Sequence, residues 1–256
     1  MTLKEKASLC SGSDFWLLQP ISRLGLERVM VSDGPNGLRK QASSSDHLGI
    51  GTPVKATCFP AGVNIASSWD TELCKEVAAC LARECRAEGV SVILGPPVNI
   101  KRNPLCGRSF EYYSEDPHLA GELGVAFVLG VQGEGVGASV KHFVANNQEF
   151  HRMRVDTLVD ERTLRELYLP AFERVVVGSQ PWTVMTACMR APARQQAAAA
   201  ARVALFPVAT TCRGCCAVPH SLMRVLWPTR EGPALTASLT VTRPSRSSCH
   251  APAALW

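Results

Sequence analysis

Gly137-Ala-Ser-Val-Lys141-His142-Phe143-Val-Ala-Asn146-Asn147-Gln148-Glu149, with Arg152 close behind, is the stretch on which the reading of the fold turns. A short apolar run rises out of a glycine turn and stops at an adjacent cation and imidazole. An amide-rich loop then carries a carboxylate and an arginine. In α/β proteins, parallel strands deliver polar groups to ligands beyond their carboxyl ends in this way. A lone histidine at a strand end is often satisfied core. A lysine beside it on a buried strand is harder to explain structurally, because an unpaired buried ammonium is costly.

Outward from this stretch the chain alternates. Towards the N-terminus, Arg28 to Ser32 reads as a buried strand that breaks at Asp33-Gly34-Pro35-Asn36-Gly37 and leaves Asp33 at its C-terminal lip. Residues 3–10 read as a short polar helix, and a long loop runs from the break to about Ser68. Leu73, Val77, Cys80, Leu81 and Cys85 recur at helical spacing and predict a helix over 70–88 that buries them. Val90 to Leu94 is the next strand, short and aliphatic as a parallel strand covered on both faces should be. The loop over 95–117 is long and polar, with Asn99, Lys101, Arg102, Arg108, Glu111, Tyr112 and Tyr113.

Asp116-Pro117 starts a further helix, the carboxylate capping free N–H groups and the proline sitting where no donor is needed. Leu119, Leu123, Phe127 and Val131 mark its buried face. Asp160 opens another helix, with Leu164, Leu167, Tyr168, Ala171, Phe172 and Val175 on one apolar side, and Trp182 to Met185 begins a fourth strand. Repeats of strand, polar loop and helix argue either a (β/α) barrel or an open doubly wound sheet. A wound sheet would carry a glycine-rich phosphate loop after its first strand. Gly133, Gly135 and Gly137 precede a strand instead, so they read as a turn.

Composition sets a second boundary. The chain has 256 residues, enough to bury a full core, and 46% of them are hydrophobic. Residues 1–185 hold 19 Lys and Arg against 21 Asp and Glu, an ordinary globular surface. Residues 186–256 hold eight Arg, no Lys, no Asp and one acid, Glu231, in a background of Ala, Pro, Ser, Thr and Cys without helical or strand periodicity. The first 185 residues therefore form the expected domain, and 186–256 an irregular, unstructured or out-of-frame tail. A basic arm for nucleic acid is the rival reading of that tail, but such arms mix Lys with Arg and carry few cysteines.

Met1-Thr-Leu-Lys-Glu-Lys has no apolar signal region, no run reaches membrane-spanning length, and eleven scattered cysteines make no disulfide framework. A cytoplasmic location, without membrane or nucleic-acid partners, is the expectation. Cys212, Cys215, Cys216 and His220 make half a zinc site with no second pair, so neither metal nor cofactor is expected. No Gly-x-Ser-x-Gly elbow and no His-Glu-x-x-His helix is present, which lowers serine hydrolase and zinc protease. Asp33 would serve sugar hydroxyls or a cation, or simply cap its turn. Arg108 is either a ligand-facing cation or a local partner of Glu111, and Glu149 with Arg152 can likewise form an ion pair.

Taken together, the segments resemble the N-terminal domain of glycoside hydrolase family 3, most closely its β-glucosidases. The matching pieces are Ser32-Asp-Gly-Pro-Asn-Gly-Leu-Arg39, Thr57-Cys-Phe-Pro60, Ala66-Ser-Ser-Trp-Asp70, Gly95-Pro96 with Asn99-Ile-Lys-Arg102, Cys106-Gly-Arg-Ser-Phe-Glu-Tyr-Tyr-Ser-Glu-Asp-Pro117, Lys141-His142-Phe143 with Asn146-Asn-Gln-Glu149, and Asp160-Glu-Arg-Thr-Leu-Arg-Glu-Leu-Tyr168. The resemblance implies an α/β fold of the (β/α)8 TIM-barrel type, with about the first half of the barrel in residues 1–185. It also implies a pocket for a terminal β-D-glucosyl residue of a β-glucoside or oligosaccharide. In that pocket Asp33 accepts from sugar hydroxyls, while Arg108, Lys141, His142 and Arg152 donate to them. The family's chemistry is retaining hydrolysis by two carboxylates about 5–5.5 Å apart. Its nucleophile is an Asp in a Ser-Asp-Trp-type motif on a later strand, and nothing after Met185 matches it. The expectation is a sugar-gripping half-site without the catalytic pair, with a non-catalytic sugar-binding module as the alternative.

Overall fold

The computed structural model of the chain describes residues 1–42, 51–152, 155–187 and 223–225. Five strands, β1 (Val31–Ser32), β2 (Val92–Ile93), β3 (Gly137–Phe143), β4 (Thr183–Thr186) and β5 (Met223–Val225), form one sheet in the order of the chain. Every neighbouring pair is parallel. Helices α1 (Leu3–Ser8), α2 (Gly62–Ser67), α3 (Thr71–Ala87), α4 (Pro117–Gly133), α5 (Glu161–Thr163) and α6 (Pro170–Ser179) complete the elements used below. Sequential parallel strands joined through helices are the layout of a β/α barrel, and among the described residues the sheet is not closed: β1 and β5 are its two edges.

The helices start where the sequence places them. Asp70 accepts from the backbone N–H of Glu72 and Leu73, at 2.9 and 3.0 Å, and Asp116 from those of His118 and Leu119, at 3.0 and 3.1 Å. These bonds occupy donors that have no partner inside the helix. Asp160 caps Thr163 in the same way, and a π-helical turn over Leu164–Tyr168 then leads into α6.

α4 lies between α3 and α6, and glycine sets how closely they approach. A Cβ on Gly130 would collide with the Lys75 carbonyl of α3, and one on Gly124 with the Val175 side chain of α6. This close approach corrects the predicted face of α3. The residues it buries are Cys74, Ala78, Leu81, Ala82 and Cys85, while Leu73 stands 41% exposed. Ala78 faces Gly130 and Cys74 packs against the Leu123 carbonyl, while Leu73 is turned out. Leu167 is also exposed, because the wider π turn rotates it off the apolar side.

Two further differences concern the first strand and its loop. β1 has two residues, and Arg28 is exposed, because an edge strand is covered on one side only. The predicted loop to Ser68 contains α2, which buries Ile65 and Ala66. The turn after β1 is as read: Gly34 has φ +120°, and Arg39 N–H donates to the Asp33 carbonyl at 3.0 Å. β5 comes from the stretch in which no strand pattern is legible. The half zinc set of Cys212, Cys215, Cys216 and His220 lies outside the described residues. No helix among the described residues is long and apolar enough to cross a membrane.

Candidate functional site

β3 is buried along its length up to His142, and its end carries the site. Lys141 is 2% exposed and His142 4%. Between Val140 and Phe143 the ladder to β4 shifts register, which takes the backbone of His142 out of regular pairing. Asn99, from the loop after β2, fills that gap. Its Oδ1 accepts from His142 N–H at 2.7 Å, and its Nδ2 donates to the carbonyls of His142 and Val144, both at 3.0 Å. A buried amide is satisfied by this arrangement and fixes the strand end at the same time.

The Lys141 ammonium is held by two carboxylates. Nζ lies 3.3 Å from Glu111 Oε2 and 3.9 Å from Asp33 Oδ1. Glu111 is as buried as the lysine, and its other oxygen accepts from Arg108 Nε. Asp33 keeps 39% of its side chain exposed and so retains lone pairs for a ligand. The structure thus joins Asp33, Lys141, Glu111 and Arg108 in one chain, with Lys141 between the two carboxylates and Glu111 between Lys141 and Arg108. Glu111 is legible in sequence only as a local partner of Arg108 at i+3; its long-range bond to Lys141 carries no sequence signal beyond a buried lysine's need for an acid.

His142 and Arg152 belong to a second chain of contacts. Tyr112 Oη lies 3.2 Å from His142 Nδ1 and donates to the Asn146 carbonyl at 3.0 Å. Asn146 Nδ2 donates to Tyr112 Oη and to Glu149 Oε1, both at 2.8 Å. Arg152 Nη1 pairs with Glu149 Oε2 at 3.4 Å and is 44% exposed. It therefore lies at the outer end of the site, not in the Lys141 cluster. Burial first, and then the cations Arg108, Lys141 and Arg152, hold the His142 imidazole well below its ordinary value of 6.5.

That shift gives a sign to the pH dependence. The folded state resists protonation of His142 and the unfolded state does not, so the unfolded state binds more protons at mildly acidic pH. The contribution of His142 to stability is present above the ordinary imidazole range and is lost as pH falls through it. The urea midpoint is expected to drop between about pH 7.5 and about pH 5.5 more steeply in the wild type than in His142→Gln.

An open parallel β/α sheet, with an acid-bridged cluster of cations at the carboxyl ends of β1 and β3, is the layout of a barrel-type α/β protein, whose functional groups gather at that end of the strands. Comparison with known proteins narrows this. Residues 26–207 match the glycosyl hydrolase family 3 N-terminal domain. The chain is similar to thermostable β-glucosidase B of Acetivibrio thermocellus, 57% identical over 187 residues that cover 73% of this chain and 25% of that protein. It is also similar to the exo-α-(1→6)-L-arabinopyranosidase of Bifidobacterium longum, at 55% over 186 residues, 72% of this chain and 25% of that one. Among solved structures, β-glucosidase 3B from Thermotoga neapolitana in complex with α-D-glucose superimposes with a TM-score of 0.69 at 45% identity, over 75% of this chain and 28% of that one. The chain belongs to glycosyl hydrolase family 3. It spans about a quarter of the length of these relatives.

Proposed function

We propose that the chain carries the glycosyl-binding part of a β-glucosidase-type retaining site for terminal, non-reducing β-D-glucosyl residues. The observation that supports this most is the Lys141 cluster within a family 3 barrel segment: a buried ammonium, held between Glu111 and Asp33 at the mouth of the parallel sheet. A sugar hydroxyl both donates and accepts, so one exposed carboxylate beside fixed cations can satisfy several hydroxyls with charge-assisted bonds. Asp33 would accept, and Arg108, Lys141 and Arg152 would donate. His142 completes the ring of contacts. Such bonds, where they tighten at the 2-hydroxyl in the transition state, contribute several kcal/mol in retaining glycosidases.

Cleavage itself needs two carboxylates, a nucleophile and an acid/base. Residues 186–256 contain no Asp and a single Glu, and none of the site carboxylates described above is free of a binding role. The full 256-residue chain is therefore expected to bind sugar without hydrolysing it. Incubation with an aryl β-glucoside should release no phenol, and a 2-fluoro-glucoside should leave the protein mass unchanged. Turnover together with a covalent glycosyl adduct would overturn the division between binding and cleavage.

A further inference from the structure

We propose that Tyr112 is a positioning residue that fixes the tautomer of His142, so that Nδ1 carries the ring proton and Nε2 is a bare acceptor for a sugar hydroxyl. The tautomer itself follows from geometry, and its use by a sugar rests on the glycosyl-binding reading above. Tyr112 Oη has three polar neighbours: the Asn146 carbonyl at 3.0 Å, Asn146 Nδ2 at 2.8 Å and His142 Nδ1 at 3.2 Å. A phenol has one proton to give. The orientation of the Asn146 amide is set independently, because the same Nδ2 donates to the Glu149 carboxylate at 2.8 Å, and a carboxylate only accepts. Nδ2 is therefore the donor to Tyr112 as well.

The remaining two contacts then have one consistent assignment. The tyrosine proton goes to the Asn146 carbonyl, which can only accept, and His142 Nδ1–H donates to the tyrosine oxygen. In the opposite tautomer Nδ1 and the carbonyl would compete for a single proton, and one acceptor would go without. Tyr112 is 0% exposed, His142 4% and Asn146 1%, so water cannot make up the missing bond. The direction of the chain runs from His142 to Tyr112 to Asn146, while Glu149 pins the far end. Whereas the lysine and arginines of the site can only donate, His142 is left to accept from a sugar hydroxyl, the reverse of the donor role that the family resemblance implies.

The test is the long-range 1H–15N spectrum of the histidine rings in the 15N-labelled full chain, with His142 assigned by its loss in His142→Gln or by its contacts with the Tyr112 ring. The expected result is that the unprotonated, low-field nitrogen correlates strongly with both ring carbon protons, which identifies it as Nε2. In Tyr112→Phe the low-field signal should move to Nδ1 or average between the two. A wild-type low-field nitrogen at Nδ1, or a folded Tyr112→Phe with an unchanged pattern, overturns the proposal; if that variant does not fold, the wild-type spectrum decides alone. Glucose is then added. A shift confined to Nε2 supports its use by the sugar, whereas an unresponsive ring with the Nδ1–H pattern intact defeats the glycosyl-binding reading and leaves the tautomer assignment standing.

Discussion

Glu111→Leu is expected to lower the unfolding free energy by about 3–5 kcal/mol, the cost of leaving buried charge without its partner. The substitution removes the carboxylate 3.3 Å from Lys141 and the acceptor of Arg108 in one step. Two cations would then face each other, with only Asp33, at 3.9 Å and partly in water, to offset them. Lys141→Met should cost less, because Glu111 keeps Arg108. The double variant Glu111→Leu/Lys141→Met should recover part of the loss, since an apolar pair of similar volume replaces a buried ion pair at little net cost. Urea unfolding of the three variants at neutral pH measures this. Equal losses for Glu111→Leu and Lys141→Met, with no recovery in the double variant, would show that the cluster is not electrostatically coupled.

Lys141→Met should weaken glucose binding at least about 10-fold while the protein stays folded. A hydrogen bond from a charged donor to a sugar hydroxyl is worth about 1.5–3 kcal/mol, roughly 10-fold or more in affinity. Lys141 is the buried cation of the cluster, and no neighbouring lysine can take its place on β3. Arg152→Ala should weaken binding by a much smaller factor, because that side chain is half-exposed and its ion pair with Glu149 is screened by water. Calorimetric titration of the two variants separates the inner and outer ends of the site. A loss as large in Arg152→Ala as in Lys141→Met would place the main charge contact at the rim.

What could be read from the chain alone divides by sequence distance. Asp70, Asp116 and Asp160 announce their helices because a capping carboxylate acts on N–H groups two or three residues away. Lys141 and His142 stand out because two polar residues end an apolar strand. The framework around them does not stand out. Asn99 meets His142 across 43 residues and Tyr112 across 30, and neither asparagine nor tyrosine in a polar loop signals its partner. The face of α3 is hidden for a related reason: periodicity favours Leu73, but the approach of α4 places Ala78 against Gly130 and Cys74 against the Leu123 carbonyl. The Arg152–Glu149 ion pair is legible at i+3, but its place at the outer end of the site is not, because composition cannot say which side of a loop meets solvent. The family resemblance is carried by long, ordered motifs and agrees with the family match, which itself runs past Met185 to residue 207.

Calorimetric titration of the full chain with glucose, in the wild type and in folded Lys141→Met, bears most directly on the claim that the Lys141 cluster is the glycosyl-binding part of a family 3 site. A saturable, one-site heat in the wild type, with affinity at least about 10-fold weaker in Lys141→Met, is the result expected. A folded wild type with no saturable heat, or one whose heat is unchanged by Lys141→Met, would contradict it.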